Sequence, residues 1–273
     1  MSTFQQGFEF DQMAKRPMYQ VCPRWLIDHC SLTPDSTVVD LGCGSGILTQ
    51  LLLDQFRDAS NFRVFAVDPS EWELKIARSR ISDSRATFIA GRAQEIGDLV
   101  NDVDAVLLCN VLHQIPRDER SLVCEGAFGL LREGGKFGAN TLFYDGGIDS
   151  ETRKFYLAWM LEARKWLARA SVKCNPPEDT PVALQLLTPQ QHRETLQSAG
   201  FSDVVIEEVN CEWNVEDWEA LSRYSVFIQG ALAPEIDLEM GSKALIHGVR
   251  SAYKIFGYTT VPRRWLHCAA RRP

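Results

Sequence analysis

Val38-Val39-Asp40-Leu41-Gly42-Cys43-Gly44-Ser45-Gly46 links a β-branched run, Thr37–Leu41, to the apolar helical pattern Ile47–Phe56. Glycines between a strand and a helix let the backbone turn tightly and bring helix N–H groups against a nucleotide-like ligand. The spacing sharpens that reading. A dinucleotide fingerprint G-x-G-x-x-G beginning at Gly42 requires its third glycine at position 47, whereas this chain reads D-x-G-x-G-x-G and places it at Gly46. Asp40 inside the loop suits a positively charged ligand and repels a pyrophosphate.

Outward from the loop, short apolar runs alternate with helical patterns. Phe62–Val67 precedes Trp72–Arg80, Ala86–Ala90 stands alone, Val103–Cys109 precedes Arg117–Leu131, and Lys136–Phe143 follows. Such alternation predicts a parallel sheet covered by helices on both faces, and the nearly continuous apolar strands agree with burial on both sides. Asp68 ends the second strand, where a carboxylate can accept both hydrogen bonds of a ribose 2′,3′-diol. Beyond Phe143 the pattern changes. Glu151–Ala170, Val215–Leu232 and Leu238–Phe256 read as amphipathic helices rich in aromatic residues, and Pro176, Pro177 and Pro181 break the chain between them. Thr188-Pro189 opens a helix that Gly200 stops. Phe201–Asn210 and Trp265–Ala270 read as strands.

The chain has 273 residues, 45% hydrophobic and 24% charged, which is enough apolar material for a large core and excludes collagen-like, disordered and disulfide-scaffold classes. Its net charge of −7 argues against a nucleic-acid partner. Eight cysteines with no C-x-x-C pair, and no signal-peptide pattern, predict reduced thiols in a cytoplasmic protein. No apolar run approaches the ~18 residues of a membrane span. His29, His192, His247 and His267 have no partners at metal-ligand spacing, so no metal site is expected.

With the glycine loop, Asp40 and Asp68 in place, the chain resembles the class I S-adenosylmethionine-dependent methyltransferases. The likeness covers Phe10 to about Phe143 and returns at Thr188–Val209; 144–187 and 212–258 are not covered. The resemblance implies a Rossmann-like, doubly wound seven-stranded α/β sheet, mostly parallel, with the last strand antiparallel. It implies one methyltransferase domain over 1–273: a helical lead-in at 1–30, a cofactor-binding core of 31–143 with 188–211 and 259–273, and helical lids at 144–187 and 212–258 that form the substrate pocket. By position, Asp40, Gly42, Gly44 and Gly46 would line the methionine part of S-adenosyl-L-methionine, Asp68 would hold the ribose, and Pro69 and Ser70 would flank the adenine. Asn110 and Val111 fall in the segment after strand four that faces the sulfonium. Phe10-Asp11-Gln12-Met13-Ala14 with Arg16-Pro17-Met18-Tyr19 is similar to the family's lead-in, which puts Tyr19 against the amino-acid end of the cofactor. Gly91-Arg92-Ala93-Gln94 departs from the family's Gly-Asp-Ala-Glu. Arg92 cannot accept a hydrogen bond, so adenine recognition passes to the Ala93 backbone, Gln94 or Glu95.

His113 is the candidate catalytic residue, a neutral imidazole able to take a proton from an acceptor; capping or packing is the alternative. Asn175-Pro176-Pro177-Glu178 lies too far downstream, and lacks the aromatic residue, for the N-P-P-Y/F motif of amide and base methylation; it reads as a loop turn. The acidic surface and the aromatic insertions point to a small, largely apolar or aromatic acceptor methylated at oxygen, in secondary metabolism. N- or C-methylation, a silent cofactor-binding protein and an NAD-dependent dehydrogenase stay open, as does a homodimer.

Overall fold

In β1 (Thr37–Leu41) and β4 (Val103–Cys109), alternate apolar side chains point to opposite faces of the sheet, and both sets are buried. Val38, Ala105 and Leu107 pack on one face against Leu26 and Cys30 of α2 (Pro17–His29) and Leu48 and Leu52 of α3 (Ile47–Gln55). Val39, Val106 and Leu108 pack on the other against Val123 and Ala127 of α5 (Arg120–Leu130) and Leu196 of α7 (Pro189–Ser198). In this computed structural model, residues 8, 10–92, 95–172, 174 and 182–273 are described.

The remaining strands are β2 (Arg63–Asp68), β3 (Ala86–Ala90), β5 (Leu131–Thr141), β6 (Ser202–Trp213) and β7 (Val261–Arg271). The seven-stranded sheet has the order β3-β2-β1-β4-β5-β7-β6. Pairs β1–β2, β2–β3, β1–β4 and β4–β5 are parallel, and the last strand, β7, runs antiparallel to β5. The doubly wound architecture, with its antiparallel final strand, is the one the sequence implied. Strand order reverses between β1 and β4, so the loops leaving these two strands part and open a crevice at their carboxyl ends.

The chain builds two compact units. One comprises 21–145, 186–209 and 265–273; the other comprises 1–20, 146–185 and 210–264. The second unit is helical and aromatic, with α1 (Asp11–Ala14), α6 (Ser150–Arg169), α8 (Val215–Leu221), α9 (Ser225–Ala231) and α10 (Leu238–Phe256). Trp159 donates through Nε1 to the Leu245 carbonyl at 2.8 Å, and Trp218 lies 5.4 Å from the Trp159 ring. The lead-in belongs to this unit: Arg16 binds Asp217 at 2.6 Å, and the Phe10 ring stands edge-on to Tyr19 and Tyr224.

Several boundaries moved. Val215–Leu232 is two helices, the first ending at Leu221 and the second beginning at Ser225, with the Ser222 hydroxyl donating to the Trp218 carbonyl at 2.8 Å where the first stops. β5 begins at Leu131, directly after α5, through an irregular stretch in which Gly134 takes φ +76°. β6 and β7 both run longer than the apolar runs that announced them. Thr188 and Gln191 form a reciprocal capping box at α7, and Gly200 (φ +98°) follows its end. Pro176, Pro177, Pro181 and Asn175-Pro176-Pro177-Glu178 lie outside the described residues. No described helix is long and apolar enough to cross a membrane.

Candidate functional site

The loop leaving β1 is held by two backbone bonds from its own glycine end: Gly42 N and Cys43 N both donate to the Val67 carbonyl, at 2.8 and 3.0 Å. Gly42 (φ +75°) admits no side chain, since a Cβ there would lie 2.6 Å from a Val111 methyl. Gly46 (φ +84°) is pressed against α4 (Glu71–Arg80), where a Cβ would meet Ile81 at 2.9 Å. Gly44 (φ +50°) has open space where its Cβ would be.

Asp40 is buried beneath this loop. Its Oδ2 accepts from the Thr49 hydroxyl at 2.6 Å, while Oδ1 has no partner. Burial pushes its pKa up to about 7, against the opposing pull of the Thr49 hydrogen bond and with a smaller contribution from the Asp68 charge. Asp68, at the end of β2, accepts from Gly44 N at 2.9 Å through Oδ2 and from Ser70 N at 2.8 Å through Oδ1. Burial raises its pKa, and those two amides pull it back. The strand-end acid therefore fixes the glycine loop itself and keeps one lone pair on each oxygen for a further donor. Ser70 caps α4 by accepting from Glu73 N.

A cavity of about 200 Å³ opens beside these groups, lined by Leu41, Gly42, Pro69, Gly91, Arg92, Val111, Gln114, Ile115, Pro116, Glu119 and Val123. Gly42, Pro69 and Val111 were anticipated there and Gln114, Ile115 and Glu119 were not, while Tyr19, Asp40, Gly44, Gly46, Asp68, Asn110 and His113 are not among the lining residues. Arg92 carries a 3.8 Å ion pair with Glu119 on its guanidinium, and its amide donates to Glu95 at 2.9 Å. Ala93 and Gln94 lie outside the described residues. Tyr19, in α2, belongs to the helical unit and is buried at 3% exposure.

After β4 the chain turns sharply. Asn110 sits at φ +59°, a left-handed conformation unusual for a residue with a side chain, and is buried. Its amide donates to both the carbonyl and Oδ1 of Asn140, at 3.0 and 2.8 Å, and its own Oδ1 accepts from Leu142 N at 3.0 Å. His113, in the 3-10 turn Leu112–Gln114, is 2% exposed and lies against the Phe143 ring. Its Nδ1 is 3.3 Å from the Thr141 hydroxyl, and its Nε2 has no partner. Burial lowers its pKa to about 3, with a smaller push from Arg120. Thr49, Asn140 and Thr141 escaped the sequence reading. The available signal was a threonine on the helix face shared with Leu48, Leu52 and Leu53, and two polar residues ending the strand Lys136-Phe137-Gly138-Ala139-Asn140-Thr141.

A family model described as "Methyltransferase domain" matches residues 38–135. The malonyl-[acyl-carrier protein] O-methyltransferase of Priestia megaterium is 34% identical over 59 residues, 22% of this chain and 20% of that protein. The highly reducing polyketide synthase easB of Emericella nidulans is 29% identical over 210 residues, 74% of this chain and 8% of that one. The matched stretches thus span a fifth or less of these relatives. Among solved structures, phosphoethanolamine N-methyltransferase 2 of Haemonchus contortus, in complex with S-adenosyl-L-methionine, aligns with a TM-score of 0.56 and 16% identity over 92% of this chain and 52% of that one, a likeness of fold. Residues 38–135 thus match a methyltransferase-domain family, and the D-x-G-x-G-x-G loop with its strand-end aspartate and the sheet order agree with the resemblance to class I S-adenosylmethionine-dependent methyltransferases.

Proposed function

We propose that this chain transfers a methyl group from S-adenosyl-L-methionine to a small, largely apolar or aromatic acceptor, at oxygen. The observation that carries the reading is the convergence of Asp40, Asp68, the glycine loop and the cavity at the crevice where strand order reverses. The residues present fit the cofactor. Asp40 Oδ1 is a buried oxygen with no partner, Gly44 leaves open space at the loop, and the cavity has apolar walls at Pro69, Val111 and Ile115, against which a purine ring can pack. Bound S-adenosyl-L-methionine would supply a methyl group already activated by its positive sulfur.

The chain's own work is to bind, orient and exclude water, which can supply several kcal/mol of the barrier. The free lone pairs of Asp68 suit the ribose hydroxyls, the Asp40 carboxylate favours a cationic ligand, and Gly42, Gly46 and Asn110 join them in the set assigned to the cofactor, with Tyr19, Ala93 and Gln94 assigned on the resemblance alone. His113 is held neutral at physiological pH. If the Thr141 hydroxyl accepts from Nδ1–H, Nε2 is a bare lone pair facing no partner. So weak a base accepts a proton only as a new bond to the acceptor oxygen forms and makes that proton strongly acidic, so an alcohol or phenol uses it and a carboxylate does not. None of the eight cysteines is disulfide-bonded, which supports a cytoplasmic setting; secondary metabolism is the context we favour.

A second reading has its own support. The Priestia relative is by name an O-methyltransferase of a malonyl group on acyl-carrier protein, so the acceptor is alternatively an acyl group presented by a carrier. The test is a screen with labelled cofactor. One arm holds phenols, alcohols and carboxylic acids, and another holds malonyl-loaded acyl-carrier protein. Turnover in the first arm supports oxygen methylation of a small acceptor; turnover confined to the second moves the assignment to the carrier-bound acyl group. Labelling only of nucleic acid, or binding of NAD in place of S-adenosylhomocysteine, would reject both. In the same preparation, Asp68→Ala is expected to abolish calorimetric binding of S-adenosylhomocysteine, since it removes the ribose acceptor and releases the Gly44 amide together.

A further inference from the structure

We propose that Asn140, at the end of β5, is a positioning residue for the cofactor pocket, acting by locking Asn110 in its left-handed turn. The inference rests on the cofactor reading above. Left-handed backbone is strained for a residue with a Cβ, less for asparagine than for most, and it persists where the surroundings over-determine it. Here they do. The Asn110 amide is shared between the Asn140 carbonyl and side-chain oxygen, and the Asn110 side chain answers by accepting from Leu142 N. Asn140 is 1% exposed and donates one side-chain N–H to the Cys109 sulfur at 3.6 Å, which holds its amide inside the protein.

The turn at Asn110 decides where the next residues go. Val111 is laid against the Cα of Gly42, close enough that no side chain fits between them, and Gln114 folds back to donate to the Asn110 carbonyl at 3.3 Å. Val111, Gln114 and Gly42 are all walls of the cavity. Two asparagines 30 residues apart thus set the wall of the pocket that faces the glycine loop. A hydrogen-bonding amide suits the task better than an apolar side chain, because it offers an acceptor to Asn110 and a donor to Cys109 at once.

The test separates conformation from mere packing by comparing two substitutions at position 110. Asn110→Gly and Asn110→Ala both delete the side chain, but only glycine takes φ +59° freely. Calorimetric binding of S-adenosylhomocysteine is expected to weaken about fivefold to tenfold more in Asn110→Ala than in Asn110→Gly. Asn140→Ala is expected to weaken it about tenfold in the native background and less than threefold on top of Asn110→Gly, where no lock is required. Thermal melting of each variant, and the KM for S-adenosyl-L-methionine set against kcat, check that the loss lies in the pocket. Equal losses for glycine and alanine at 110, or an Asn140→Ala penalty that is undiminished in the glycine background, would overturn the proposal while native binding still upheld the cofactor reading. Failure of the native protein to bind S-adenosylhomocysteine would overturn that reading and this proposal with it.

Discussion

Asp40 has one oxygen on a threonine hydroxyl and the other facing nothing, in a protein interior where an ionised carboxylate is poorly solvated. Its folded pKa is raised from 3.8 to about 7, so the folded state holds this proton through a range in which the unfolded chain has lost it. Stability therefore falls as pH rises from about 4 to about 7, and above 7 the full penalty, up to ~4 kcal/mol at 1.36 kcal/mol per pKa unit, is present. Asp40→Asn is expected to raise the melting temperature of the ligand-free protein at pH 8, with the gain vanishing near pH 4, while weakening cofactor binding. Melts across pH with and without S-adenosylhomocysteine check both halves; a variant less stable at pH 8 would refute the penalty. The sequence made the type and spacing of Asp40, Asp68 and the three glycines plain. It did not show that Gly44 and Ser70 amides already occupy Asp68, because that depends on how the loop folds back on the strand-end acid.

Among elements, β1, β3, β4 and α10 lie where the periodicity put them, and the capping box of α7 follows from Thr188 and Gln191. The continuous helix expected over Val215–Leu232 fails for a definite reason. Periodicity reports which face is apolar, and an apolar face can carry on across Ser222–Tyr224 while the backbone does not. Asn140 and Thr141 stayed hidden because their partners, Asn110 and His113, lie far upstream in the chain. Gly248, in the middle of α10, looks like a cost to the helix until α6 is seen beside it. A Cβ there would stand 2.6 Å from the Trp159 carbonyl and 2.8 Å from the Ala163 amide. Gly248→Ala is expected to destabilise the helical unit by about 1–3 kcal/mol, because overpacking against backbone exceeds the ~1 kcal/mol gain in helix propensity. A higher denaturation midpoint by circular dichroism would show that the helices part easily.

At the scale of the whole molecule, composition already excluded a disulfide scaffold, and none of the eight cysteines is disulfide-bonded. Six are buried and only Cys109 and Cys174 are partly exposed, while burial pushes the thiols of Cys30 and Cys124 up to about 12. The native protein is expected to react rapidly with a thiol reagent at no more than two positions and at all eight in denaturant. Rapid reaction of four or more would mean that the core opens. What composition and length left obscure is how the surplus residues are organised, since each unit is assembled from three separated stretches of chain.

That interleaving reaches into the order of events during synthesis. β7 pairs with β5 and lies between β5 and β6, so β6 has no neighbour in the sheet until the last strand has been made. The parallel half, β1 to β5, can begin to form on the ribosome, but the hydrophobic flank of β5 stays uncovered until residues 261–271 emerge. Closure of the sheet is thus a late, long-range step. Such steps are slow and leave edges exposed to aggregation, so chaperone demand on this sheet falls on the interval before residues 261–271 have emerged.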